Sequence, residues 1–351
     1  MQINRRTFLL AAVAAASCSR AGRSDSLRSA AQYLWRQQAE DGGFHSATYG
    51  LLRSGQSLTP FVLGGLLNVP DTVLPAPPGA IDRALEFIRK HTDAAGALGR
   101  MDESAADYPN YATSLAVTVM LKTRRNGYER DIAPMVAQLR AQQFSEENGW
   151  KREDAPYGAW GMGGPVHRPP GAGHVDLSMT RCVMEALQSS GVTASDTAIT
   201  RALVYLERSQ NLDGGFYFST VNPEINKAGQ TNGGFASYGT ATADGVLALR
   251  AAGVPDTDDR IARATKWLKD HHQPDRVPGF ERAPYQSWGS ALRFYYAYVI
   301  SRTLPDLSVV LPAQGNDGSF RNANNQVKED DPLIATTFAL LPLTHLLDSR
   351  A

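Results

Sequence analysis

The residue of this sequence best suited to acid chemistry is a carboxylate in an apolar setting. Asp244 stands one turn inside the predicted helix Thr240 to Ala252, which is otherwise apolar. A carboxylate there costs free energy unless it is paired or faces a cavity. Groups held in such surroundings are frequently functional. We therefore predict Asp244 as the leading candidate for a catalytic acid.

Three further candidates stand just before predicted helices. Asp176 precedes Leu177 and is either a helix N-cap or a catalytic carboxylate. His174 either hydrogen-bonds a loop or has a catalytic role. Asp331, which follows Asp330, either places charge at a helix start or acts as a general acid.

Aromatic residues near the same predicted helix starts could line a small-molecule pocket, because such pockets combine aromatic walls with a few polar groups. Two of the tryptophans could equally fill the core. The residues predicted to contact a substrate are Tyr108, Tyr111, Trp160, Tyr238 and Trp288.

The elements that must position these residues form a repeat. An amphipathic helix ends in a turn of the type Asp-Gly-Gly-Phe six times, with a spacing of roughly 40 to 65 residues. In such a turn Asp or Asn bonds the backbone, Gly supplies a positive φ and the aromatic residue enters the core. The turns are predicted at Asp41 to Phe44, Asp93 to Gly99, Asn148 to Trp150, Asp213 to Phe216, Pro278 to Phe280 and Asp317 to Phe320.

Helices of two kinds alternate around these turns. Amphipathic helices precede them, and the sixth is abbreviated around Leu307 to Leu311. The helices that follow the turns carry little charge, which is typical of buried helices. The predicted outer helices are Leu27 to Gln38, Ile81 to His91, Ile132 to Gln143, Ala198 to Gln210 and Arg260 to His271. The predicted inner helices are Leu58 to Leu67, Tyr111 to Lys122, Leu177 to Ser189, Thr240 to Ala252, Ser290 to Ser301 and Pro332 to Leu347.

This alternation predicts an all-α fold, an (α/α)6 toroid of six helix-hairpin repeats that spans residues 24–351. The inner helices would run parallel, so their amino-terminal ends would surround one mouth of a central cavity. Two long loops, Tyr157 to His174 and Asn222 to Ser237, would lie on the same rim.

The Gln-x-x-Asp-Gly-Gly-Phe turn resembles the prenyltransferase and squalene oxidase repeat of the terpenoid cyclase and protein prenyltransferase superfamily, which includes the squalene–hopene cyclases. The resemblance covers nearly all of residues 24–351 and implies the toroid. It does not fix an activity, since this fold also serves thioester domains and polysaccharide lyases.

The catalytic motifs of that superfamily are missing from the sequence. The resemblance implies an Asp-x-Asp-Asp acid motif, and the nearest string here is Glu329-Asp330-Asp331-Pro332. The zinc site of the prenyltransferases needs an Asp-x-Cys pair, and Thr180 stands two residues before Cys182. We therefore predict no metal and no cofactor. Cys182 is expected to be a buried structural thiol.

The amino terminus resembles an export signal. Arg5 and Arg6 precede Phe8-Leu9 and a short run of small apolar residues, an order typical of twin-arginine signals, and residues 1–23 are assigned to it. An ordinary secretory signal remains the alternative. Cys18 follows Ala15-Ala16-Ser17 and could carry a lipid, although Ala15 stands where a lipidation site usually has Leu. The predicted location is the periplasm, either free or as a membrane-anchored lipoprotein.

The composition limits the classes of partner that the protein is expected to bind. Lys and Arg total 35, as do Asp and Glu, so the formal net charge is zero and no nucleic acid is expected to bind. Membrane contact is expected only through an N-terminal lipid.

The leading hypothesis is an exported terpenoid cyclase-like protein, enzymatic or not, that binds an apolar or isoprenoid-like molecule. The alternatives are a non-catalytic cell-surface binding module and a toroid polysaccharide lyase or hydrolase, for which Tyr108, His174 and Arg168 could supply the site.

Overall fold

In the part of the chain that the structure describes, eleven longer helices and one single-turn helix build two concentric layers. The computed structural model describes residues 20–100, 106–125, 127–231 and 234–348. The inner layer contains α2 (Leu58–Leu66), α4 (Pro109–Thr123), α6 (Leu177–Ser189), α8 (Gly239–Ala251), the pair α10 (Trp288–Ala291) and α11 (Arg293–Thr303), and α12 (Pro332–Asp348). The outer layer contains α1 (Arg20–Arg36), α3 (Ala80–His91), α5 (Glu129–Ala141), α7 (Thr197–Ser209) and α9 (Asp259–His271).

The inner helices form a closed ring. Each packs against the next in chain order, and α12 returns to pack against α2. Nearly every residue of α8 is buried, as its few charged residues predict. The predicted all-α (α/α)6 toroid is confirmed. The small remainder of regular structure comprises four 3-10 turns, at Leu51–Ser54, Glu146–Asn148, Pro223–Ile225 and Tyr285–Ser287, and a hairpin of β1 (Gln230–Thr231) and β2 (Gly234–Phe235).

The sixth outer position differs from the other five. The segment Leu307 to Leu311, predicted as an abbreviated helix, is irregular chain, and its Val310 N–H donates to Pro274 O at 2.8 Å. Helix α1 instead packs against α12. The first outer helix therefore covers the last inner helix and closes the outer layer.

A glutamine side chain joins each of four turns to the next outer helix. Its amide nitrogen donates both to the carbonyl of the turn glycine and to a carbonyl in the first turns of that helix. The pairs of acceptors are Gly42 O and Ala80 O for Gln38, Gly158 O and Ala198 O for Gln143, Gly214 O and Arg260 O for Gln210, and Gly318 O and Ser26 O for Gln314, all at 2.8–3.0 Å. The glutamine of the last turn thus reaches back to α1, so the same device that spaces the repeats also closes the toroid.

A second contact ties five of the six turns to the inner helix that follows each of them. The N–H of the residue that enters the core donates to a threonine hydroxyl in the first turn or two of that helix. The pairs are Phe44 to Thr59, Leu98 to Thr113, Trp160 to Thr180, Phe216 to Thr242 and Phe320 to Thr336, at 2.8–3.1 Å. A buried N–H without such a partner would cost about 1–3 kcal/mol.

These contacts correct the position of the third turn. Asn148 to Trp150 was predicted, but the equivalent residues are Gly158 and Trp160. Gly158 has φ +87°, and a Cβ there would lie 2.0 Å from Arg201 O. Gly158 follows Gln143 by fifteen residues, whereas Gly42 follows Gln38 by four, so eleven residues are inserted within the third turn. Asn148 lies in this insertion, and its side-chain amide donates to Gln143 O at 2.7 Å.

Two further predictions concern the amino-terminal export signal and the thiol of Cys182. Residues 1–19 of the predicted export signal, with Cys18, lie outside the described residues, and residues 20–23 belong to α1. In the part of the chain that the structure describes, no helix has the length and apolarity needed to cross a membrane. Cys182 is buried and unpaired, as predicted.

The Gln314→Ala variant tests the closure of the toroid. Removing the amide leaves Gly318 O and Ser26 O without this donor and removes the acceptor of the Ser26 hydroxyl. We expect the free energy of unfolding in urea to fall by about 1–3 kcal/mol.

Gln188→Ala is the matched control, because Gln188 is exposed on α6. Its unfolding free energy should stay within about 0.5 kcal/mol of the wild type. Equal stability of the two variants would show that Gln314 does not help to close the ring.

Candidate functional site

A chamber of about 460 Å³ lies at the amino-terminal ends of the inner helices. This volume is within the ~300–1,000 Å³ usual for small-molecule pockets. Its wall is mainly apolar and includes Leu52, Leu58, Phe61, Met179, Leu292, Ile334 and Phe338. Such a wall suits an apolar ligand, because binding removes the apolar surfaces of both the wall and the ligand from water.

Four of the five aromatic residues predicted to contact a substrate line this chamber, namely Tyr108, Tyr111, Tyr238 and Trp288. Trp160 does not. Its side chain is fully buried, and its indole Nε1 donates to Leu139 O at 2.7 Å. Because Trp160 is the core residue of the third turn, it fills the space between helices, which corrects its predicted role.

Both long loops contribute to the rim of the chamber, as their positions predict. The loop Tyr157 to His174 supplies Met162 and His174, and the loop Asn222 to Ser237 supplies Glu224, Ile225 and Lys227. The second loop is attached to the start of α6, where Ser219 Oγ donates to Val175 O at 2.6 Å. Arg168, by contrast, is exposed and lies outside the chamber lining.

Asp176 is both a helix cap and part of the chamber wall. Its Oδ1 accepts the Met179 N–H at 2.7 Å, and its Oδ2 lies 2.7 Å from His174 Nε2. The cap holds the carboxylate at the start of α6, and the carboxylate holds the imidazole on the rim. His174 and Asp176 therefore form a pair that can orient a ligand or exchange a proton with it.

Asp331 has a structural role, which corrects its prediction as a catalytic residue. Its Oδ1 accepts the Leu333 N–H at 2.9 Å, its Oδ2 accepts the Ser46 hydroxyl, and it does not line the chamber. The adjacent Asp330 accepts the Tyr49 hydroxyl at 2.5 Å. Both carboxylates thus join the start of α12 to the loop between α1 and α2, which contains Ser46 and Tyr49.

Glu329, the remaining acid of that string, caps a different helix. Its carboxylate accepts the N–H groups of Phe294 and Tyr295 at 2.9 and 2.8 Å and the Asn322 amide at 2.9 Å. The first two are free donors at the start of α11. Burial raises the pKa of Glu329 to about 7, although these donors oppose the rise. This cap fixes the helix start that carries Tyr295.

Asp244 lies beneath the chamber floor and has no solvent-exposed surface. Ser178 Oγ donates to its Oδ2 at 2.5 Å, and Tyr295 OH lies 2.8 Å from both of its oxygens. Ser178 and Tyr295 themselves line the chamber. Burial raises the pKa of Asp244 above its usual range, while Arg181 and the two hydroxyls act in the opposite sense. The chamber therefore reaches this buried acid through two hydroxyl groups.

Charges of both signs surround Asp244 on its other side. Arg181 Nε lies 2.7 Å from Asp244 Oδ1, an ion pair whose angle is not that of a hydrogen bond. Arg181 also contacts Glu185 at 2.7 Å, and Glu185 contacts Arg302 at 2.8 Å. Two carboxyl groups and two guanidinium groups alternate, so each group of the cluster has a partner of the opposite type.

A second cavity, of about 410 Å³, lies at the carboxyl-terminal ends of the inner helices. Its lining is more polar than that of the chamber and includes Lys122, Arg181, Glu185, Arg302 and His345. Buried atoms with no hydrogen-bond partner face it from Ser114, Thr337 and His345. Asp244 thus separates an apolar chamber from a polar one.

Sequence reasoning missed the two hydroxyls and two lysines of the site. Ser178 follows Asp176 by two residues, and Lys328 precedes α12 in the way that the predicted rim residues precede their helices. Tyr295 had no signal in the sequence, because its approach to Asp244 depends on the break between α10 and α11. Lys227 lies within a loop that was predicted to reach the rim, but its side chain could not be placed without the fold.

The comparisons agree with this architecture. The family model of the squalene–hopene cyclase C-terminal domain matches residues 138–310. No curated protein matches the chain.

Solved structures of the type II terpene cyclase MstE from Scytonema are similar over nearly the whole chain. The apo structure is 15% identical with a TM-score of 0.54, covering 94% of this chain and 99% of that one. A variant of MstE in complex with geranylgeranyl dihydroxybenzoate, its substrate, is 14% identical with a TM-score of 0.57, covering 93% and 97%. A further variant, in complex with the product merosterolic acid A, is 15% identical with a TM-score of 0.55. The chain therefore has the α/α-toroid fold of these terpene cyclases, as its turns predict, and about half of it matches the squalene–hopene cyclase C-terminal domain.

The Glu329→Gln variant tests the buried cap of α11. A pKa raised from 4.5 to about 7 means that the native state keeps a proton that the unfolded chain releases, so stability falls as pH rises from about 4.5 to 7. We expect the difference in unfolding free energy between wild type and variant to change by up to about 3 kcal/mol across that window, in the direction that disfavours the wild type. Urea unfolding at pH 4.5, 6 and 7.5 measures it.

Glu153→Gln removes an exposed carboxylate and should keep the wild-type pH dependence. If Glu329→Gln behaves in the same way as this control, the cap does not hold a proton in the native state.

Proposed function

We propose that this protein binds an apolar, isoprenoid-like molecule in the chamber and that Asp244 provides the proton for terpene cyclase-like chemistry on it. The observation that carries the proposal is an apolar chamber of about 460 Å³ with one buried carboxyl beneath its floor. The similarity to a cyclase whose substrate bears a geranylgeranyl chain supports the same ligand class.

The chemistry needs no group beyond those of the site. The Asp244 proton passes to the hydroxyl of Ser178 or Tyr295, which gives its own proton to a carbon–carbon double bond of the ligand. A C–H bond forms and a carbocation remains, a second double bond attacks that cation to close a ring, and the ring cation then loses a proton from an adjacent carbon to the Ser178 or Tyr295 oxygen, which returns a proton to Asp244. The reaction is an isomerisation, and burial, which raises the pKa of Asp244, favours its protonated form.

The aromatic wall would favour such a cation. Tyr111, Tyr238 and Tyr295 line the chamber, and the face of an aromatic ring carries partial negative charge. Few water molecules would remain beside an apolar ligand, so the cation would be protected from premature capture.

The departures from the superfamily's acid motif favour a second candidate, a non-catalytic binding module that uses the same chamber. A toroid polysaccharide lyase or hydrolase stays the third prediction, although Arg168 lies away from the chamber.

We also propose that the protein acts after export, because residues 1–23 carry the twin-arginine-like segment.

Chamber occupancy is tested with the Ile334→Trp variant. Ile334 lines the chamber, so an indole in its place should occupy ligand volume. We expect lipid extraction and native mass spectrometry of the purified wild-type protein to detect an apolar ligand, and this variant to bind at least tenfold less of it. Val310→Trp makes the same kind of change at an exposed position and should bind normally. Absence of any apolar ligand in the wild type, also after incubation with polyprenyl compounds, would remove the proposal.

Catalysis is tested by changing the acid and its hydroxyl partners. Asp244→Asn should lower the rate of ring formation by about 10²–10⁴-fold, with geranylgeranyl dihydroxybenzoate and related linear polyprenyl compounds as probes and mass spectrometry of the products as the readout. Ser178→Ala and Tyr295→Phe remove the hydroxyl partners of Asp244 but leave the Arg181–Asp244 pair in place. A lower rate in these variants would therefore be due to the loss of the hydroxyl and not to the loss of that pair.

His174→Ala distinguishes a role of the rim from one of the floor. It should alter ligand affinity while leaving the rate on bound ligand within about threefold, because His174 contacts Asp176 and not Asp244. Ligand binding with no product from the wild type would favour the binding module.

A further inference from the structure

Two lysines stand at the mouth of the apolar chamber without a carboxylate partner. Neither Lys227 nor Lys328 has an acidic group within ion-pair distance in the described ranges, whereas Arg140, Arg181, Arg250 and Arg302 each have one. Both line the chamber. Desolvating an ammonium group costs free energy, so an unpaired cation at the edge of an apolar cavity needs another source of stabilisation.

Aromatic rings supply part of it. Lys227 Nζ lies 3.8 Å from the ring centre of Phe218 and 5.7 Å from that of Trp288. Lys328 Nζ lies 5.3 Å from the ring of Tyr108 and 5.7 Å from that of Tyr49. Each ammonium therefore lies between two aromatic rings at the mouth, which holds it in place and leaves its other donors free.

The backbone at one of these lysines is held in an unfavourable conformation. Lys328 has φ +63°, and Tyr108, whose hydroxyl accepts from Lys328 Nζ at 2.8 Å, has φ +47°. Among the described residues, only Arg124 joins these two as a non-glycine residue with positive φ. Left-handed backbone costs about 1–2 kcal/mol per residue and persists where the surroundings enforce it, often at ligand sites.

The carboxylates of the lining do not neutralise these lysines. Asp176 is engaged by Met179 N–H and by His174, and Glu224 is exposed at the outer edge of the rim. Burial lowers the pKa of Lys227 to about 8, so most of this group stays protonated at neutral pH. A cationic ligand would be repelled, because the aromatic faces at the mouth already hold ammonium groups.

We propose that the mouth binds the anionic head group of an amphiphile, with Lys227 and Lys328 as its ligands and the apolar chain of that amphiphile in the chamber. This inference rests on the proposed function, since it assigns the polar end of the same ligand. It names the ligand class as a single-chain isoprenoid-like acid, with a carboxylate or phosphate at one end. Such a ligand would enter chain first and would be oriented with its far end toward Ser178 and Tyr295.

The test compares three probes that share one chain, namely geranylgeranoic acid, geranylgeraniol and geranylgeranylamine. Binding to the purified full-length protein is followed by quenching of tryptophan fluorescence, since Trp288 lies at the mouth. We expect the acid to bind at least tenfold more tightly than the alcohol, and the amine to bind most weakly. Geranylgeranyl phosphate in a further titration distinguishes a phosphate head group from a carboxylate.

Variants assign the effect to the lysines. Lys227→Met and Lys328→Met together should weaken binding of the acid about 10–100-fold and leave binding of the alcohol within threefold, and the single variants divide the effect between the two sites. Lys269→Met is the matched control, because Lys269 is exposed on the outer helix α9. Its affinities should equal those of the wild type.

The possible failures are distinguishable. If the wild type binds none of the three probes, the apolar ligand and therefore the proposed function fail together. If acid and alcohol bind equally, or if the amine binds best, the anionic subsite is wrong while the apolar ligand stands. Retention of the preference for the acid in the double variant would show that other groups cause it.

Discussion

The closure of the ring is the constraint on which the rest of the structure depends. An inner helix with apolar residues on most sides cannot face water, so it must be covered by an inner neighbour on each side and by an outer layer. The hydrogen bonds from Gln38, Gln143 and Gln210 set the distance from one repeat to the next outer helix. The bond from Gln314 to Ser26 applies the same spacing across the chain ends. Once the last spacing equals the others, a central space remains that no helix fills.

The amino-terminal ends of the inner helices determine what most acidic residues near that space can do. Each helix start leaves N–H groups that need acceptors, and carboxylates from the preceding loops supply them. Asp176 and Asp331 cap their own helices, and Glu329 caps α11. Carboxylates with these tasks are held in place by the helices they cap. Asp244, by contrast, is held by side chains, namely those of Ser178, Tyr295 and Arg181.

The interior is divided by polarity along the ring axis. Apolar and aromatic residues surround the chamber at one end, while Arg302 and Lys122 belong to the polar cavity at the other. The Arg181–Asp244 pair lies between them, where either charge alone would carry a large desolvation cost. Pairing keeps both ionisable groups in the interior. A ligand in the chamber would reach the Asp244 carboxyl through Ser178 and Tyr295, whereas the second cavity reaches it through Arg181.

The sequence by itself determined the layers, the repeat and most of the aromatic wall. Local periodicity and turn chemistry are properties of short segments, so the inner helices, Tyr108, Tyr238 and the two rim loops could be predicted from spacing. Asp244 could be found because a carboxylate in an apolar helix is unusual wherever the helix lies. Only the tertiary structure decided that Trp160 is the core residue of the third turn, since an eleven-residue insertion separates it from its glutamine. Likewise, the contacts of Asp244 with Ser178 and Tyr295 join three different helices, and no local pattern records which side chains a closing ring brings together.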